Sequence, residues 1–164
     1  MPDEMKVVPL YPPADPKESN PVAIPAESEA RHKIALRWSE KLVKQFTPVS
    51  DYFLANYHRL KNDRGTETPL RSTEAMLIIQ IMRYKWDARA PYPTLGKLAK
   101  QMGISTRSVR ANLKSLEDLG FIRRERNMYG GPNHYHFDGL IQALEKMLAA
   151  DEAEADRAEM EGGQ

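Results

Sequence analysis

The sequence predicts a mainly helical protein, and three observations carry that expectation. Apolar residues recur at helical spacing over most of the chain from residue 30 onward. Hydroxyl residues (Ser50, Ser72, Thr94 and Ser105) stand where those runs begin, as helix caps do. Prolines and glycines fall between the runs rather than inside them.

With 164 residues the chain has room for one ordinary domain plus tails. No stretch approaches the roughly 18 uninterrupted apolar residues of a membrane span. The best candidate, Ala75 to Met82, is broken by Gln80, and Met1 to Leu10 lacks the basic start and apolar run of a secretion signal. Cysteine is absent, which excludes disulfides, thiolate catalysis and cysteine-ligated zinc. A soluble, cytoplasmic protein with no membrane partner is expected.

The net charge of +1 hides a segregation. Residues 1–70 balance ten Lys/Arg against ten Asp/Glu, residues 71–137 carry twelve against five, and residues 138–164 carry two against eight. A basic block of net +7 followed by an acidic tail of net −6 points to a polyanion partner for the block, or to a plain solvated surface.

Seven of the twelve prolines lie in the first 25 residues, so residues 1–29 are expected to be a disordered Pro-rich tail. Residues 30–69 are expected to form two helices packing on the core. The first, over 30–46, carries Ile34, Ala35, Trp38, Leu42 and Phe46 and stops at Thr47-Pro48. Ser50 caps the second, with Phe53, Leu54, Tyr57 and Leu60 on one face, before a loop from Asn62 to Pro69 that turns at Gly65. A third helix opens at Ser72 and runs to about Trp86. Its apolar residues point all round the axis, which marks a central helix. Pro91 and Pro93 end the connection that follows.

From Thr94 the spacing becomes specific. Thr94 caps a short helix, Leu95 to Met102, with Leu98, Ala99 and Met102 inward. Gly103 supplies a positive-φ turn, Ile104 plugs the gap, and Ser105 caps a helix reaching Leu119 with Val109, Leu113 and Leu116 as its buried stripe. The stretch Thr94-Leu-Gly-Lys-Leu-Ala-Lys-Gln-Met-Gly-Ile-Ser-Thr-Arg-Ser-Val-Arg resembles the helix-turn-helix of bacterial DNA-binding proteins. The sequel, Ala111-Asn-Leu-Lys-Ser-Leu-Glu-Asp-Leu-Gly-Phe-Ile-Arg-Arg, resembles the winged variety. By that resemblance Gly120 ends the recognition helix, Phe121 to Glu125 and His134 to Phe137 are the wing strands, and Arg126 to Asn133 form the tip. The longer stretch from Leu70 to Leu140, about 70 of the 164 residues, is similar to domains of phage and plasmid replication-type proteins and of transcriptional regulators. The expected fold class is therefore mainly α with a small β-hairpin, a winged helix-turn-helix over 70–138.

With Val109 in the core, the ~100° step per residue puts Arg107, Arg110, Ala111 and Lys114 on the outward face of the recognition helix. Three of these can donate to guanine edges or phosphates. Ser105 and Thr106 stand at its start, where free N–H groups favour a phosphate oxygen, and Ser108 belongs to the same candidate recognition-helix set. In the wing, Arg123, Arg124, Arg126, Asn127, Tyr129 and Asn133 are the candidate contacts to backbone or minor groove. Strand alternation sets Arg123 on the side of Phe121 and Arg124 opposite, free to pair with Glu117 or Glu125.

Other constellations carry less. His134 and His136 lack companions for a metal site, and no cofactor is expected. Glu74 and Asp87 show no acid–base spacing and read as surface charges, so no enzyme is expected. Tyr84, Trp86 and Tyr92 beside the Pro-rich turn could stack on single-stranded bases, but aromatics there are more often core plugs. A C-terminal helix over 139–150, capped by Asp138, carries the stripe Leu140, Ile141, Leu144, Met147 and Leu148, which docks on the domain or pairs with a second copy. Residues 151–164 form an acidic tail. The tail or the Pro-rich head is open to a protein partner.

The function implied is sequence-specific binding of double-stranded DNA by a transcriptional regulator, with a homodimer through the C-terminal helix. An origin-binding accessory of replication in a phage, plasmid or other mobile element shares the same residues. A protein-interaction module that keeps the fold without reading DNA is the alternative of another class.

Overall fold

The computed structural model describes residues 37–42, 47–62 and 66–163, and divides the chain into two compact units at Phe46 and Thr47. In the first unit Arg37 is helical and residues 38–42 bend and turn, with Leu42 N donating to the Ser39 carbonyl at 3.1 Å. Trp38 and Leu42 are exposed. A short helix is held mainly by burying its apolar stripe, and over residues 38–42 that burial is missing. The rest of the helix expected over 30–46, and the Pro-rich segment 1–29, lie outside the described residues.

The second unit comprises α1 (Asp51–Asn56) running into a 3-10 turn (Tyr57–Arg59), α2 (Ser72–Met82), α3 (Leu95–Met102), α4 (Thr106–Asp118), β1 (Arg123–Glu125), β2 (His134–His136) and α5 (Asp138–Gly162). Ser50 caps α1 by accepting from Phe53 N at 3.3 Å. Phe53 and Leu60 are buried and Tyr57 packs against them, but Leu54 faces outward. Residues 53, 57 and 60 follow the i, i+4, i+7 stripe, and residue 54 is one step off it. Past the turn, Asn62 N donates to the Thr66 carbonyl at 2.9 Å and Thr68 N to the Leu60 carbonyl at 2.7 Å, closing the loop. Gly65 lies outside the described residues.

The central helix α2 buries Ala75, Leu77, Ile78 and Ile81, and it packs against both α3 and α4. Met76 is its exposed apolar residue. The helix stops at Met82, short of Trp86, because Tyr84 N and Lys85 N turn to the carbonyls of Ile81 and Met82 in tighter i→i−3 bonds. Glu74, expected at the surface, is only 2% exposed. Its carboxylate accepts from Arg71 N at 2.9 Å and from the Arg71 guanidinium at 2.8 Å. Burial pushes this carboxyl up, but the Arg71 bonds and a hydrogen bond from Ser115 outweigh it and hold Glu74 below the ordinary glutamate range.

The strands pair antiparallel with Arg123 opposite His136, Arg124 opposite Tyr135 and Glu125 opposite His134. Alternation begins only at Arg123. Phe121 and Ile122 both lie buried in the preceding turn, so Arg123 does not share the side of Phe121. On the other flank of β2, Tyr135 N donates to the Pro91 carbonyl at 2.9 Å. The connection into α3 thus lies alongside the hairpin, and Pro91 and Pro93 are both buried.

The last helix is longer than expected. It runs without a break from Asp138 through the acidic residues to Gly162, which removes the boundary at residue 150. The alanines and glutamates there are good helix formers, and Asp151 is clamped to the α1 region. Tyr52 donates its hydroxyl to Asp151 at 2.7 Å and Arg59 pairs with both carboxylate oxygens. Leu140, Ala143 and Met147 are buried, and the stripe lies against α1 of the same chain, while Ile141 and Leu148 stay near 40% exposed. A methyl group on Gly139 would stand 1.9 Å from the Gly120 carbonyl oxygen, so only glycine lets α5 start against the end of α4.

Candidate nucleic-acid interface

Helices α3 and α4 carry most of the candidate residues. Thr94 accepts from Lys97 N at 3.2 Å, which fixes the start of α3, and Leu98 and Ala99 bury its inner face. Gly103 takes φ 66 and turns the chain at the end of α3, where Ile104 N returns to the Ala99 carbonyl at 3.1 Å. Ser105 then accepts from Ser108 N at 3.1 Å and starts α4, whose Val109, Leu113 and Leu116 are fully buried. Capping, turn and stripe fix which way the rest of α4 faces.

Arg107, Arg110, Ala111 and Lys114 are all exposed, as are Ser105, Thr106 and Ser108 at the start of the helix. Lys114 differs from the two arginines, because its ammonium meets Asp118 at 2.8 and 3.0 Å. That hydrogen bond and charge raise the Lys114 pKa. In the hairpin, Arg123 and Arg126 are exposed, whereas Arg124 pairs with Glu117 of α4 at 3.0 Å and ties wing to helix. Asn127 is half-buried and accepts from Tyr129 N at 2.9 Å, Tyr129 is exposed, and Asn133 is half-buried at the foot of the tip.

Much of the basic block is spoken for. Arg71 pairs with Glu74, Arg89 with Asp87, Lys114 with Asp118 and Arg124 with Glu117. Arg83 donates to Gln80, and Lys85 to the carbonyls of Asp87 and Arg89. Among the described residues of 71–137, the exposed cations left without a hydrogen bond or ion pair are Lys97, Lys100, Arg107, Arg110, Arg123 and Arg126. Every one stands on α3, α4 or the hairpin. Lys97 and Lys100 were not expected; their signal was the first helix of the motif, which crosses the DNA backbone in such domains.

The aromatics near the proline turn are not core plugs. Trp86 and Tyr92 are half-exposed, the first donating its indole N–H to the Arg83 carbonyl at 2.8 Å and the second lying against His134 with ring centroids 5.4 Å apart. Tyr84 accepts from Gln101 at 2.7 Å. His136 meets Glu125 at 2.9 Å, so the two histidines of β2 have separate partners. Among the described residues no group of three or more His, Asp or Glu is placed to hold a metal ion. Nor is any described helix long and apolar enough to cross a membrane.

The family model of a helix-turn-helix domain matches residues 68–122, from the approach to α2 through the end of the turn after α4. Residues 68–122 are a helix-turn-helix domain. The two-stranded hairpin that follows makes it the winged form, on a mostly helical fold. No curated protein and no solved structure matches the chain significantly. A helix-turn-helix domain points to DNA binding.

Proposed function

We propose that the protein is a transcriptional regulator that binds duplex DNA sequence-specifically. In this reading α4 lies in the major groove and the wing lies on the backbone or in the minor groove. One observation supports it above the others: the unpaired exposed cations of the basic block fall only on α3, α4 and the hairpin. Arg107 and Arg110 are the base readers, Ser105 and Thr106 sit against a phosphate at the start of α4, and Lys97 and Lys100 anchor the first helix to the backbone. Lys114 and Arg124 serve the fold through Asp118 and Glu117.

Selection of duplexes from a random library by the full chain supplies a preferred site. On it, Arg107→Ala and Arg110→Ala should each cost about 1–3 kcal/mol and relax the base preference, while Arg126→Ala weakens all duplexes alike. Equal losses on selected and random DNA for all three variants would remove α4 as the reader. Genome-wide mapping of bound sites then tests the regulatory role. A set of promoters supports it, a single replication origin replaces it with the replication role, and no duplex binding leaves the fold as a protein-interaction module.

A further inference from the structure

The wing tip carries the two most exposed large apolar side chains of the described unit. Met128 is 90% exposed and Tyr129 98%. Neither touches the core, so folding gives no reason for their presence, and two such neighbours in water are a liability unless something covers them. The tip is nevertheless a built turn. Asn127 accepts from Tyr129 N at 2.9 Å through its side chain and from Gly130 N at 3.4 Å through its carbonyl, and Gly130 follows with φ 80. These bonds hold Met128 and Tyr129 at the apex.

The charge around the apex names the occupant. Between Arg126 and Asn133 there is no acidic residue; the unpaired Arg126 stands at the base of the tip, Glu125 beside it is taken up by His136 at 2.9 Å, and the unpaired Arg123 stands at the other end of β1. A cationic rim suits a polyanion, and an apolar apex suits the uncharged faces between its bases. Apolar wedges that enter the minor groove beside basic residues work in this way, prising apart one base step and kinking the duplex. Methionine is flexible and polarisable enough to slide between bases, and tyrosine offers a flat face to stack on one.

We propose that Met128 and Tyr129 form a wedge that enters the minor groove of duplex DNA and partly unstacks one base step, resting on the DNA-binding reading above. Flexible pyrimidine–purine steps give way most readily, so the wedge adds a sequence preference at a position that α4 does not touch.

Permanganate oxidation, which attacks thymines uncovered by unstacking, tests it on duplexes selected by the full-length protein. The bound wild-type chain should make a thymine hyperreactive at one pyrimidine–purine step. The double variant Met128→Ser with Tyr129→Ser should abolish that signal and weaken binding about tenfold. Its melting temperature and salt dependence should match wild type, since neither residue is buried or charged. Tight duplex binding by wild type without a hyperreactive thymine, or a signal that survives the double variant, overturns the wedge and leaves the DNA-binding reading standing. Absence of duplex binding by wild type overturns both.

Discussion

Glu74 joins two helices with one carboxylate. It bonds the backbone and guanidinium of Arg71 at the head of α2, and Ser115 of α4 also lowers its pKa. Its folded pKa lies below its ordinary value, so in acid the unfolded chain binds the proton more readily than the folded one. The stability it contributes is present in full above the ordinary glutamate range and is lost as pH falls through the depressed value. Glu74→Gln should therefore be less stable at neutral pH by about 1–3 kcal/mol and lose less on acidification. Urea denaturation across the acid range measures both effects, and parallel pH profiles for the two proteins would refute the role. The Arg71 contact, at i, i+3, was within reach of the sequence; the Ser115 contact was not, because only the crossing of α2 and α4 brings it there. Val109, Leu113 and Leu116 were legible for the opposite reason: cap, turn and period all lie within one local stretch.

At the scale of elements, α5 is held by what its inner face touches. Leu140, Ala143 and Met147 are buried against the rest of their own unit, and Asp151 is clamped by Tyr52 and Arg59. The sequence showed the stripe but not its partner, since an apolar face looks alike whether α1 or a second copy covers it. The continuation past residue 150 was hidden for a related reason. A run of alanine and glutamate has helix propensity but no apolar period, and the clamp at Asp151 exists only once α1 is in place. Met147→Ala should cost about 2–4 kcal/mol, as truncations of buried methionines do, whereas Leu148→Ala at a half-exposed position should cost a few tenths. Ending the chain after Phe137 should destabilise the winged domain rather than leave it intact. Light scattering alongside the denaturation curves should give one mass for wild type and Met147→Ala. A dimer that Met147→Ala dissociates would show instead that the stripe serves a second chain.

For the whole molecule the decisive quantity is the split of charge, net +7 over residues 71–137 and −6 over residues 138–164. If the unpaired cations of α3, α4 and the hairpin meet roughly five or six phosphates, log affinity for duplex DNA should fall with log salt at a slope near −5. The acidic part of α5 should oppose this through its field. Residues 152–164 carry five acids against one arginine, every described one of them is exposed, and the Asp151 clamp lies just before them. Deleting residues 152–164 therefore removes repulsion while keeping the Asp151 side chain and the buried stripe of α5. The shortened chain should bind duplex more tightly at low salt. The two curves should converge as salt rises, because the screening length shrinks to about 3 Å at 1 M and a field felt across solvent is extinguished. A slope near zero for the full chain would mean that the cations do not meet phosphates. A constant gap at every salt concentration would mean that the acidic helix acts by contact, touching the duplex or the wing, rather than through its field.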